Sequence, residues 1–129
     1  MKKAAILLSI LVLIPFFNCS QTIEDLDYVS PLNDGVAAIK KNNQWAFINS
    51  KGDIIINFRN DIVTTKFNDG NYPVFRNNRC LIAKEKEGIS YFGYIDKSSK
   101  TIIEPEFLNA TIFNKNKAIV LNLLKRNIG

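Results

Sequence analysis

Short apolar runs alternate with Asn- and Gly-containing turns along most of this 129-residue chain. Val36 to Lys40 is β-rich, and Lys41-Asn42-Asn43 supplies turn chemistry, because asparagine tolerates a positive φ. Gln44 to Asn49 then alternates, with Trp45 and Phe47 on one side and Ala46 and Ile48 on the other. Ser50-Lys51-Gly52 is a second turn and Asp53 to Ile56 a further strand. Strands this short, joined by turns this compact, predict an antiparallel meander. Upstream, Gln21 to Ser30 is acidic and lacks periodicity, so it reads as a tether ending in a short strand at Tyr28-Val29.

The pattern repeats. Asn33-Asp34-Gly35 returns as Asn68-Asp69-Gly70 and more faintly as Asn114-Lys115-Asn116, each followed by a short apolar run. Trp45-Ala46-Phe47-Ile48-Asn49 is echoed 47 positions later by Phe92-Gly93-Tyr94-Ile95-Asp96, and Ile54-Ile55-Ile56 by Thr101-Ile102-Ile103. Asn42-Asn43-Gln44-Trp45 matches Asn77-Asn78-Arg79-Cys80 at an offset of 35. The difference between these offsets predicts 12 extra residues in the second repeat, Cys80 to Tyr91, as a lengthened hairpin. Units that recur at this scale stack to bury a shared core. The expected fold is therefore all-β: antiparallel hairpin or meander repeats in a short array, solenoid-like or like part of a propeller.

The stretch from Asn33 to Gly52 resembles a WG repeat, a family named for a Trp-Gly pair followed by an aromatic, an isoleucine, Asp or Asn, and a Lys-Gly turn. Trp45-Ala46 keeps the tryptophan and loses the glycine; Phe92-Gly93 does the reverse. Lys97-Ser98-Ser99 has lost the turn glycine, whereas Ile102-Ile103-Glu104-Pro105 matches the family's tail. The resemblance implies repeat 1 at about 32–66, repeat 2 at about 67–112 and a partial repeat at 113–129. It implies structural roles for Gly35, Trp45, Gly52, Gly70, Phe92 and Gly93.

The N-terminus changes the expected compartment. Met1-Lys2-Lys3 is basic, and Ala4 to Phe17 is apolar except for Ser9 and Pro15. Fourteen residues are short for a membrane span but fit a secretory h-region. Cys19 directly after this run resembles a bacterial lipoprotein signal, although Phe16 and Asn18 depart from its usual box. That resemblance implies a signal peptide at 1–18, acylation of Cys19 and a lipidated tether at 19–31. The expected location is a bacterial envelope membrane, the outer one by preference, with plain secretion or an uncleaved anchor as alternatives. Removing residues 1–18 leaves 111 residues, room for one domain with a single core. The net charge of +5 includes Lys2 and Lys3, and the remaining bases are spread out. Nucleic-acid binding, which needs a clustered basic face, is not expected.

Candidate chemistry is sparse. The chain has no histidine, which excludes Ser-His-Asp and Cys-His catalysis and His-based metal sites. Its six glycines are scattered, so no phosphate loop is present. No cofactor or metal is expected. Glu104 and Glu106 flank Pro105 and would share a strand face, leaving an envelope-glycan hydrolase as the alternative function. Cys80 lies among Leu81, Ile82 and Ala83 and reads as a small strand hydrophobe rather than a reactive thiol. Trp45 and Phe92 should pack between hairpins, while Tyr91 and Tyr94 are the surface candidates for a protein or glycan partner. Ala118-Ile119-Val120-Leu121 carries no charge, so a strand there should pair with another chain or self-associate.

Overall fold

A computed structural model describes residues 25–122, which form eleven β-strands and, among the described residues, no helix. The signal segment, Cys19 and residues 123–129 lie outside the described residues. The first sheet is a four-stranded antiparallel meander of β1 (Tyr28–Val29), β2 (Val36–Lys41), β3 (Gln44–Asn49) and β4 (Ile54–Arg59). A two-stranded hairpin follows, β5 (Thr65–Phe67) with β6 (Gly70–Tyr72). The second large sheet is β7 (Cys80–Lys86), β8 (Ile89–Ile95) and β9 (Thr101–Phe107). Last comes a short pair, β10 (Asn109–Ala110) with β11 (Val120–Leu121).

The short strand expected at Tyr28-Val29 is β1, and it belongs to the first sheet. Tyr28 and Val29 pair with Lys40 and Ile39, and Ser30 is buried with its Oγ accepting from the Ala38 N–H at 2.8 Å. Tyr28 also stands edge-on to Trp45 and stacks on Tyr72, each at 6.0 Å.

The repeat is real, but its register differs from the one that the Asn-Asp-Gly triplets suggest. Three tight turns are closed by Asn33↔Val36, Arg76↔Arg79 and Asn114↔Lys117 bridges. Their central pairs all have positive φ: Asp34 and Gly35 at 55° and 83°, Asn77 and Asn78 at 53° and 62°, Lys115 and Asn116 at 53° and 63°. Two successive residues of positive φ define the type I′ turn, whose twist suits antiparallel strands. The partner of Asn33-Asp34-Gly35-Val36 is therefore Arg76-Asn77-Asn78-Arg79. Asn68-Asp69-Gly70 is instead the turn of the β5–β6 hairpin, and only Gly70 in it has positive φ.

Pairings fix the rest. Val29↔Ile39, Ile62↔Ile82 and Ala110↔Val120 are equivalent, each lying at the same distance beyond its turn. A side-chain bond repeats with them: Ala38 N–H donates to Ser30 Oγ, and Ile119 N–H to Thr111 Oγ1. Ile39 faces Ala46 and Ile82 faces Gly93, so β2 maps onto β7 with an offset of 43, against 47 for β3 onto β8. The longer hairpin thus gains four residues, two in each strand, and not twelve. The other extra length sits between Ile62 and Arg76, where thirteen residues replace the three between Val29 and Asn33. The β5–β6 hairpin occupies that insertion.

Three units result: β1–β4; Ile62 through β9; and β10–β11. A single cluster joins the first two, with Val36, Ala38, Trp45, Phe47 and Ile56 meeting Ile62, Val74, Phe75, Cys80, Ile82 and Ile95. The Phe47 and Phe75 rings meet edge to face at 4.7 Å. Tyr94 and Phe113 repeat that contact between units two and three at 4.9 Å. Burial of this apolar area at about 25 cal/mol per Å² is the main force holding the units in series.

Candidate functional site

The type I′ turns form a ladder along one side of the stack. The Asn78 N–H of turn two donates to Asp34 Oδ2 of turn one at 3.2 Å, and the Asn116 N–H of turn three donates to Asn77 Oδ1 of turn two at 2.8 Å. The second position of each turn thus caps the third position of the next. Lys97 bridges across this ladder: its Nζ lies 3.3 Å from Asp34 Oδ2 and its N–H donates to Asn78 Oδ1 at 3.3 Å. Asp34 and Lys97 remain about one-third exposed, so the pair contributes little by itself.

The Asx turns after β3 and β8 also recur. Asn49 Oδ1 accepts from the Lys51 and Asp53 N–H groups, each at 2.9 Å. Asp96 Oδ1 accepts from Ser98 and Lys100 N–H at 2.9 and 3.0 Å and from Ser98 Oγ. Gly52 closes the first turn at φ 90° and Ser99 the second at φ 72°, so serine holds a conformation that favours glycine. Ser99 gains a contact there: Arg59 Nη1 donates to its Oγ at 2.9 Å, while the same guanidinium holds Asp61 in a fork at 2.8 and 2.7 Å. The hydrogen bonds from Ser98, then Lys100, hold the Asp96 carboxyl below its usual range. Its stabilising effect is present above about pH 4 and fades as pH falls through that lowered value. Asp96→Ala is expected to lower the melting temperature by a few degrees at pH 7, with Asp96→Asn in between, because an amide oxygen accepts the same bonds, as Asn49 does, without the carboxylate's charge. The gap between Asp96→Ala and wild type should shrink in melts at pH 2–3; a gap independent of pH would contradict the carboxylate account.

The sequence-predicted residues have separate fates. Trp45 is buried in the core. Phe92 is half-buried and lines a groove of about 430 Å³ with Leu81, Asn109 and Ile112. Tyr94 is not on the surface: it is 1 % exposed, and its Oη donates to the Thr111 carbonyl at 2.7 Å. It occupies the place of Phe47, the aromatic that bridges to the next unit. Tyr91 is half-buried near the hairpin tip, with Lys86 Nζ 5.3 Å from its ring centre. Glu104 and Glu106 both face solvent on β9, with Pro105 buried between them. Cys80 is fully buried, and burial pushes its thiol far above the ordinary range despite the nearby Arg59 charge.

Gly35 and Gly52 use their conformational freedom in open space. Gly70 instead faces the Tyr28 hydroxyl, 2.7 Å from where a Cβ would stand. Gly93 lies beneath the backbone of β9, whose strand makes an excursion there: Phe92 pairs with Phe107 and Tyr94 with Ile103, so four steps on β9 span two on β8.

A second concavity was not foreseen from the sequence. A groove of about 490 Å³ runs beside turn three, lined by Arg76, Thr111, Ile112, Asn114, Lys117, Ala118 and Ile119. Its apolar residues come from unit three and its Arg76 from the second turn, a juxtaposition across 36 to 43 positions that no local pattern signals. Among the described residues no group of three or more Cys, Asp or Glu side chains could hold a metal ion.

The family model for the WG containing repeat matches residues 25–45 and 92–122. The chain carries WG repeats. The first match runs from β1 through the first type I′ turn and β2 into β3; the second covers most of β8, then β9, β10, the third turn and β11. Both include a strand–turn–strand element, closed by the first and the third turn of the ladder, while the second turn lies between the two matches. No curated protein and no solved structure matches the chain.

Proposed function

We propose that this WG-repeat chain is a non-enzymatic scaffold of a bacterial envelope, acylated at Cys19, that presents a binding surface for a protein or glycan. The observation that carries this reading is where the polar and apolar side chains lie. The groove beside turn three combines Ile112, Ala118 and Ile119 with the cations Arg76 and Lys117, a mixture suited to recognition. Many of the other polar groups are engaged in holding turns and units together, as at Arg59–Asp61, Asp34–Lys97 and Asp96. The basic N-terminus, the 14-residue apolar run and Cys19 support delivery to a membrane surface. Diacylglycerol on Cys19 supplies two chains, enough for firm anchoring where one would hold only marginally.

Fractionation tests the anchoring. Wild type should sediment with membranes, and Cys19→Ala should move most of the protein to the soluble fraction; equal retention of both would remove lipidation from the reading. The binding surface is tested separately, by capture from envelope extract with wild type and with Arg76→Glu. A partner retained by wild type and lost with Arg76→Glu supports the groove, and equal retention by both excludes it.

A further inference from the structure

A cleft of about 320 Å³ opens where unit one passes into unit two. Its polar lining comes from four separate places: Arg59 at the end of β4, Asp61 just beyond it, Lys84 on β7 and Glu104 on β9. Ile82 and Pro105, both buried, supply its apolar part. All of these residues belong to the first two units. The carboxylate that shares the cleft with Glu104 is Asp61, whereas Glu106 lies outside it.

The four charges cancel, but they are held differently. The Arg59 guanidinium grips the Asp61 carboxylate at 2.8 and 2.7 Å, and its Nη1 donates to Ser99 Oγ at 2.9 Å. Three of its five N–H donors are thus used and two remain, while the Asp61 oxygens keep spare lone pairs. The fork is therefore a rigid pair of donors and acceptors. Lys84 and Glu104 are exposed and, among the described residues, form no ion pair with each other or with a third group.

We propose that this cleft binds a neutral glycan. A hydroxyl both donates and accepts, so vicinal hydroxyls of a sugar ring match the fork's spare donors and acceptors together. Lys84 donates to further hydroxyls and Glu104 accepts from them, and the ring's apolar face meets Ile82 and Pro105. The two cations disfavour a metal ion, and the two carboxylates disfavour an anion. A zwitterion would engage Lys84 and Glu104 but leave the fork unmatched. Because Ser99 fixes the fork beforehand, binding spends little on ordering it. The volume lies at the low end of small-ligand sites, about 300–1,000 Å³, so the ligand is a short saccharide unit. The site is separate from the groove beside turn three and does not depend on the state of Cys19.

Saturation-transfer NMR on the purified full chain, in a detergent without a sugar headgroup, tests this. The probes are the neutral disaccharides maltose, cellobiose, lactose and N,N′-diacetylchitobiose, with the zwitterionic dipeptide dialanine beside them. At least one disaccharide should receive saturation, and dialanine none. Lys84→Ala and Glu104→Ala should each weaken that disaccharide roughly tenfold, the worth of one hydrogen bond to a charged group. Both residues are exposed, so the melting temperature should stay at the wild-type value. Glu106→Ala, on the same strand outside the cleft, and Arg76→Glu, in the groove beside turn three, should leave the affinity unchanged. No saturation of any disaccharide overturns the proposal, as does saturation of dialanine in their place. Equal weakening by Glu106→Ala and Glu104→Ala also overturns it. Loss with Arg76→Glu, but not with Lys84→Ala or Glu104→Ala, would put the sugar in the other groove and overturn the cleft.

Discussion

Gly93→Ala is expected to cost about 3 kcal/mol and to lower the melting temperature by roughly 10–20 °C, on the scale of overpacked interiors in domains of this size. A Cβ at this position would press on the Ile103 carbonyl and come within 2.7 Å of the Pro105 nitrogen. Both are backbone atoms, so no side-chain rotation relieves them. β9 would have to move, and it is held by its pairing to β8 at Phe92↔Phe107 and Tyr94↔Ile103 and by the buried Pro105. Unit one shows why the alternative residue is tolerated there: opposite Ala46, β4 takes three steps for two on β3, from Ile56 to Arg59, a smaller excursion. Gly52→Ala is the control. Its φ of 90° strains any side chain, but nothing lies within 4 Å, so about 1 kcal/mol should be lost. Thermal melts that rank the two variants equally would show that β9 yields and that steric contact does not select the glycine.

The meander was legible because each strand is short and each turn announces itself. Trp45 and Phe47 alternate with Ala46 and Ile48, and the Asn42-Asn43 turn was readable from asparagine's tolerance of positive φ, here 52° and 64°. The register of the repeat was less legible, and the reason is physical. A type I′ turn constrains backbone angles, not letters, so Asp34-Gly35, Asn77-Asn78 and Lys115-Asn116 satisfy one geometry with three spellings. Asn68-Asp69-Gly70 shares the spelling of the first and adopts another shape. Matching letters therefore assigned twelve extra residues to the long hairpin, where the pairing of Ile82 with Gly93 leaves four. Contacts between units were the least visible. Arg59 and Ser99 meet across 40 positions because two units stack, and neither residue carries a local mark of it. Tyr94 could have been found: the offset of 47 that relates Trp45 to Phe92 also relates Phe47 to Tyr94, and a core aromatic in one unit argues for a core aromatic in the other.

Tyr94→Ala should then release the third unit while leaving the first intact. The substitution removes the edge-to-face contact with Phe113 and the hydrogen bond to the Thr111 carbonyl, a loss of about 3–4 kcal/mol for truncating a buried aromatic. Beyond that contact, unit three is tied to unit two at its turn, by the Asn116 N–H to Asn77 Oδ1 and by Arg79 over the Phe113 ring. β10 and β11 pair over two residues each, and Ile119, Val120 and Leu121 are already exposed. A pair this small is not stable alone, so the loss exceeds what its own hydrogen bonds supply. Unit one is buffered, because Phe47, Phe75 and the cluster from Val36 to Ile95 do not include Tyr94. Hydrogen exchange reads this directly. Amides of Thr111 and Ile119, which bond across the β10–β11 pair, should lose protection in Tyr94→Ala, while Ala38 and Phe47 in the first sheet keep theirs. Tyr94→Phe retains the ring and removes only the hydroxyl, at about 1 kcal/mol, so it should leave unit three docked. Protection lost to the same degree in both sheets would mean that the three units fold as one indivisible body, and the serial account of the stack would be wrong.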